Sequence, residues 1–257
     1  MISYVGPPAP PEFGKRALAE LQKLRSTVAL RAPAESDFRS LWAEYKSILG
    51  PPKCGFCERP RDLKFELDVE HYRPKTLVTR WRAEPPIDAT EPPTQVPIGP
   101  GYWWTAYAWS NWLLACSACN RLWKRNLFPL EGARIAPTEG VEASEQPLLL
   151  HPFEAFDSAE HFGWTPGGLV EPLTARARAT IQTCGLNRTE LVKARQTLYK
   201  RAQRLTVRMK EGLRFGRSDE IQRTGQELAE SVAAEAPFAA MARWVVQDEL
   251  SLDWQDL

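Results

Sequence analysis

Two C-x-x-C pairs, Cys54/Cys57 and Cys116/Cys119, constrain this chain more than any other feature, because together they can supply four thiolates to one tetrahedral zinc ion. With all four positions filled by protein, such an ion staples the fold and leaves no place for substrate. The 58 residues between the pairs exceed the spacing of a short zinc finger. Cysteines are also among the residues most often buried as small apolar groups, but the paired spacing favours zinc. The fifth cysteine, Cys184, stands alone and reads as a buried, inert thiol. Two pairs and an odd total suit metal binding in a reducing compartment better than a disulfide framework.

A chain of 257 residues, 43% hydrophobic, can bury a real core as one large domain or as a small module inside a helical body. Its formal charge is only +1, so affinity for nucleic acid has to come from a local basic surface. The N-terminal MISYVGPPAPPEF lacks a basic start followed by an apolar run, and no stretch is apolar for long enough to span a bilayer. We therefore expect a soluble, cytoplasmic protein without membrane contact.

Residues 12–30 are compatible with a helix, and Ser36 can cap a second over 37–49, with Phe38, Leu41, Trp42, Tyr45, Ile48 and Leu49 at helical spacing. KCGFCERP reads as a tight knuckle turn. KFELDVEH, with Phe65, Leu67 and Val69 alternating, reads as a strand with one buried face ending at His71. Six prolines between Ala83 and Pro100 mark a surface loop. Five of the ten tryptophans fall within residues 103–123, which implies a compact aromatic core around the second cysteine pair. Residues 131–147 are loop-like again. Further on, TARARATIQTC closes at Gly185, and Asn187 with Glu190 has the form of a capping box for a helix reaching about residue 214. Leu191, Leu198, Ala202, Leu205 and Met209 would line its buried face. Shorter helices follow from Ser218 and from Pro237 to about Leu250.

Between the cysteine pairs there is one histidine only, in DVEHYRPK, which rules out a histidine-rich catalytic zinc site. What remains is Glu70 beside His71. Glu70 offers a hard oxygen to magnesium or manganese, and a neutral His71 can take a proton from water, although a lone histidine is more often a structural one. Asp68, two residues earlier on the same strand face, could reach a metal as well; Glu70 is preferred because it abuts the base. Arg73, Lys75, Arg121, Lys124 and Arg125 surround the motif and suit phosphate contacts, though each alone could be a solvated surface charge.

The order EH…N…C-x-x-C-N, with Asn111 before the second pair and Asn120 directly after Cys119, resembles the HNH endonuclease superfamily. That resemblance implies a ββα-metal module in which Glu70 binds a catalytic Mg2+ or Mn2+, His71 is the general base, Asn111 orients the base and ties the loop, and Asn120 is the second metal ligand. Asn120 departs from the commoner histidine and Glu70 from the commoner aspartate. The strings EHYRPK, GYWW…WxNWLLACxxCN, KRNLFPL, LLLHPFEAFDSAEHF and TIQTCGLNR are similar to the HNH subunit of Septu-type and retron-associated antiphage systems. This implies an ATPase partner. His151 stands where an aspartate is expected.

The resulting expectation is an α-rich α+β protein: an N-terminal helical region (1–50), an HNH ββα-metal module with a four-cysteine zinc site and a Pro-rich insertion (51–132), and a mainly helical C-terminal region (133–257). The expected function is endonucleolytic cleavage of nucleic acid, DNA first, within an antiphage complex, with structural Zn2+ and catalytic Mg2+ or Mn2+. The alternatives are a stand-alone restriction-type nuclease and a zinc module that binds nucleic acid or regulates without cutting. His161 reads equally well as a structural histidine and stays outside the catalytic set. Residues 174–214 carry eleven Lys/Arg against two Glu, either a basic binding face or a solvated helix surface.

Overall fold

The first cysteine pair lies in a turn closed by backbone bonds from Cys54 N to Arg59 O (3.0 Å) and from Glu58 N to Cys54 O (2.8 Å). Glu58 takes a left-handed φ of 59° to complete it. The turn docks on the centre of the molecule through Gly55 N to Leu114 O (2.8 Å). In this computed structural model residues 1–81, 86–135 and 138–256 are described; part of the expected Pro-rich insertion (83–85), residues 136–137 and the last residue of the C-terminal region lie outside them.

Helix α1 (Phe13–Val28) and the short α2 (Trp42–Tyr45) precede strand β1 (Leu67–His71). The single helix expected over 37–49 is instead α2 flanked by 3-10 turns at Glu35–Asp37 and Lys46–Ile48. Asp37, whose carboxylate accepts from Arg31 and from Ala34 N (2.6 Å), ties a local turn there, and Ser36 does not act as a cap. Strand β1 also starts later than expected. Asp62 Oδ1 accepts from Lys64 N and Phe65 N, holding residues 62–66 in a turn that leaves Phe65 80% exposed.

β1 pairs antiparallel with β4 (Trp112–Cys116), in register from Leu67↔Cys116 to His71↔Trp112. Every residue of β4 is buried, as expected of a continuous apolar run packed on both faces. β2 (Leu77–Thr79) pairs with β3 (Pro97–Pro100), so the expected proline loop ends in a strand. After β4 the chain enters a seven-residue π-type helix, Ala118–Lys124. α3 (Ser158–His161) leads into a ladder of β5 (Phe162–Trp164) and β6 (Val170–Pro172), followed by α4 (Ala175–Cys184), α5 (Thr189–Phe215), α6 (Ser218–Val232) and α7 (Ala239–Leu250).

Thr174 Oγ1 caps α4 by accepting from Ala177 N (3.2 Å), the role its side chain is suited to. The capping box expected at Asn187 and Glu190 is absent. Asn187 instead matches both backbone groups of Val170, accepting from its N–H (2.9 Å) and donating to its carbonyl (2.8 Å), while Glu190 pairs with Arg188. The Asn187 amide is thus spent on the backbone of β6 and does not cap α5.

One apolar cluster joins Phe13, Leu24 and Tyr45, the strands β1 and β4, and Ile181, Leu186, Phe238 and Val245, so all three expected regions contribute to the same core. A second cluster of Leu205, Met209, Leu228, Val232, Ala242 and Val246 joins α5, α6 and α7. No described helix is long and apolar enough to cross a membrane. Five of the eleven basic residues in 174–214 are in ion pairs: Arg176 with Glu154, Arg188 with Glu190, Arg201 and Arg208 with Glu227, and Lys210 with Glu249. Surface pairs of this kind contribute little stability each, but they reduce the open positive face.

Gly185 ends α4 with φ 57°, and a Cβ built there would meet the Trp123 ring at 2.0 Å. Left-handed backbone costs a substituted residue about 1–2 kcal/mol and overpacking about 1–3 kcal/mol more. Gly185→Ala should therefore lower the unfolding free energy by about 3 kcal/mol in urea titration; a loss under about 1 kcal/mol would show that Trp123 simply moves aside.

Candidate metal centre and cleft

The β1–β4 ladder ends at Cys116, and the π-type helix places Cys119 one turn later, facing the first knuckle. The Sγ atoms of Cys54, Cys57, Cys116 and Cys119 all lie within 4.8 Å of one another, and all four residues are buried. Cys57 and Cys116 are 3.9 Å apart, close to the roughly 3.8 Å edge of a tetrahedron with metal–sulfur bonds of about 2.3 Å and far beyond a disulfide of about 2.0 Å. Four cysteines so arranged could hold a metal such as zinc. Without a cation the quartet cannot ionise together: hydrogen bonds from Cys119, Cys54 and Cys57 hold the Cys116 thiol low, while Cys54 is pushed well up, first by burial. Cys184 is also fully buried but outside this group, and burial raises its thiol, as befits an inert packing residue.

The other end of the ladder carries the polar residues. His71 closes β1, 7% exposed, with its ring edge-to-face against Trp42 at 4.6 Å. Its Nε2 lies 3.0 Å from Ala106 O, which also accepts from Trp112 Nε1 at 2.8 Å. A carbonyl only accepts, so Nε2 carries the proton and Nδ1 keeps the lone pair. Burial, reinforced by the nearby Lys75 ammonium, pushes the imidazole down to about 3 and keeps it neutral.

Asn111, 4% exposed, fastens the loop that carries Ala106. Its Oδ1 accepts from Arg73 N (2.7 Å), and its Nδ2 donates to Arg73 O (3.2 Å) and to Thr105 O and Oγ1 (3.1 Å each). Arg73, two residues past the end of β1, and the 3-10 turn Trp103–Thr105 are thereby locked together beside His71.

A cleft of about 460 Å³ opens here, lined by Asp68, Glu70 and His71 on one side and by Asn120, Arg121 and Arg125 from the second knuckle on the other, with Glu35, Trp42 and Lys75 at its rim. Asp68 accepts from Asn120 Nδ2 (3.2 Å) and, in fork geometry, from Arg121 Nε (2.8 Å) and Nη2 (2.6 Å). Lys75 Nζ is 2.6 Å from Glu35 Oε1 and 5.3 Å from the Trp42 ring.

Two of the expected phosphate contacts are not at the surface. Lys124 is fully buried, donating to Glu70 and to His71 O (3.0 Å), because the turn of helix that positions Asn120 rolls it inward. Arg73 is held by Glu145 and lies over the rings of Phe128 (4.8 Å) and Tyr102 (5.0 Å). Glu70, expected beside a cation, is 5% exposed and has Lys124 as its partner; burial raises its carboxyl despite that ammonium.

Neither remaining histidine lines the cleft. His151 accepts from Phe153 N (3.0 Å) and packs on Tyr72, while His161 Nδ1 is 2.7 Å from Thr174 Oγ1. Sequence reading missed Glu35 and Asn126 in the cleft and Arg188 beside the cysteines, 3.4 Å from Cys119 Sγ. Arg188 stood in the string TIQTCGLNR, but nothing local tied it to cysteines some seventy positions away.

Two expectations follow. Purified protein should hold about one zinc per chain, and Cys57→Ser or Cys116→Ser should lose soluble protein first, since a structural site contributes its binding energy to folding. Elemental analysis finding no metal in folded protein would end the zinc reading. Lys124→Met should cost about 3–5 kcal/mol by leaving Glu70 buried without a counter-charge, and adding Glu70→Leu should recover most of that loss. Equal urea midpoints for the single and double variants would show that the pair is not coupled.

Among known proteins, the chain is 28% identical over 221 residues to Septu protein PtuB of Bacillus mycoides (strain KBAB4), an alignment covering 77% of this chain and 71% of that one. It is 30% identical over 152 residues to Septu protein PtuA of the same strain, covering 57% of this chain but only 19% of PtuA. No family model matches, and no solved structure does. Over most of its length, then, the chain is similar to a Septu protein.

Proposed function

We propose that this chain is a metal-dependent endonuclease of the HNH type, hydrolysing phosphodiester bonds of nucleic acid, DNA first, as the cutting component of a Septu antiphage defence complex in the cytoplasm with an ATPase partner. Its similarity to two different Septu proteins supports the defence assignment. In this reading residues 1–50 brace the site, 51–132 carry it, and 133–257 pack behind it.

The observation that carries the proposal is the fixed tautomer of His71. A buried imidazole that donates its N–H to Ala106 O keeps one lone pair at neutral pH, the form able to accept a proton, and a bound phosphate anion would have to raise its low basicity. Asn111 orients that base indirectly, by fastening the loop whose carbonyl holds it. Arg121, Arg125 and Lys75, around the cleft, suit the phosphate groups of a bound strand. His71 Nδ1 would accept the proton of the attacking water.

The oxygens of Glu70, Asp68 and Asn120 are the hard donors magnesium or manganese prefers, and a metal ion there would have to displace Lys124 and Arg121 from the two carboxylates. Such an ion, when bound, supplies charge stabilisation to the scissile phosphate and the leaving oxygen. One observation favours a second reading, a non-cutting module that binds nucleic acid: Lys124 already neutralises Glu70 inside the protein.

The variants separate base from ligand. His71→Ala should retain metal binding while cleavage of phage or plasmid DNA falls by roughly two to four orders of magnitude. Glu70→Ala should weaken magnesium or manganese binding, so that its activity recovers in part at high metal concentration. Cleavage at the normal rate by His71→Ala, or identical metal responses from both variants, would overturn these roles. Absence of metal-dependent cleavage in the parent protein, with and without the ATPase, would favour the non-cutting reading.

A further inference from the structure

The junction between α4 and α5 brings one guanidinium onto the cysteine quartet. Arg188 is 3% exposed. Its Nη1 donates to Cys119 Sγ at 3.4 Å and to the carbonyls of Cys184 and Gly185 at 3.0 Å each, while Nη2 donates to Cys116 Sγ at 3.8 Å. Nε pairs with Glu190 at 2.5 Å, which fixes the plane of the fork. Both cysteines of the second knuckle therefore accept from a single side chain some seventy positions further along.

Charge explains why an arginine stands there. Four thiolates around a divalent cation carry a net charge of −2, and a buried charge is costly without a hydrogen-bonded counter-charge. Arginine offers several N–H groups in one rigid plane, so it can satisfy two sulfurs and two carbonyls together, which a lysine ammonium cannot.

We propose that Arg188 is a positioning residue of the metal centre: its N–H···S bonds orient Cys116 and Cys119 and make retention of the ion depend on the docking of the α4–α5 junction. The proposal rests on the reading of the four cysteines as a metal centre. In consequence the C-terminal helices control the knuckle that also carries Asn120 and Arg121 into the cleft. The competing account is that Arg188 only satisfies the carbonyls at the end of α4, in which case the sulfurs would not sense its loss.

The test uses the full chain, first assayed for zinc and then substituted with cobalt. Arg188→Met should move the thiolate-to-cobalt charge-transfer band to longer wavelength, because sulfurs stripped of donors hold their electrons less tightly. It should also speed zinc transfer to a chromogenic chelator by about tenfold or more. Arg188→Lys should fall between it and the parent, and it keeps the test alive should the methionine variant fail to fold. Leu191→Ala, which removes packing from α5 without touching the sulfurs, controls for loosening alone. An unchanged band and transfer rate in the arginine variants, or equal changes in Leu191→Ala, would overturn the proposal. Parent protein without zinc would overturn the metal reading itself, a failure visible before any variant is made.

Discussion

The antiparallel pairing of β1 with β4 sets the distance between everything chemical in this protein. Five register pairs bring Leu67 opposite Cys116 at one end and His71 opposite Trp112 at the other. One end then closes the cysteine quartet, because Gly55 docks the first knuckle on Leu114 next to it. The other end delivers His71 to the loop carrying Ala106. A slip of one residue would send the acidic face of β1 to the opposite side and separate the quartet, so the structural centre and the cleft stand or fall together.

Around this ladder the polar groups are held by partners drawn from far along the chain. Lys124 reaches back to Glu70, Asn111 to Arg73, and Arg188 to Cys119. Each is buried, and a buried polar group without its partner costs about 1–3 kcal/mol, more for a charge. The cleft wall is therefore held by buried hydrogen bonds and ion pairs, while the cations Lys75 and Arg121 are paired with Glu35 and Asp68. In the proposed reading, a phosphate group arriving here would compete with these carboxylates for the same guanidinium and ammonium, which would set both affinity and salt dependence.

Much of this was legible locally. The cysteine spacing announced the quartet, and the end of the DVEH strand announced the position of His71. The TARARATIQTCG segment gave its helix and its glycine stop. Where reading failed, a side chain had been claimed by another partner, in some cases close in the chain and in others far away. Asn187 left its capping role for Val170, Asp62 turned the chain and expelled Phe65 from β1, and Asp37 tied a turn with Arg31 where a helix was expected. The same applies to Arg73 and Lys124, whose charges suggested phosphate and whose burial went to Glu145 and Glu70.

The sequence by itself determined the ligand types, their pairing in two knuckles and the order of acid, histidine and asparagine, because each depends only on spacing along the chain. Tertiary structure alone decided which nitrogen of His71 keeps its lone pair, which carboxylate faces a buried ammonium and which arginine leans on the sulfurs. Those outcomes depend on contacts between residues thirty to seventy positions apart. Only a closed, desolvated core makes such contacts strong enough to choose between otherwise equivalent groups.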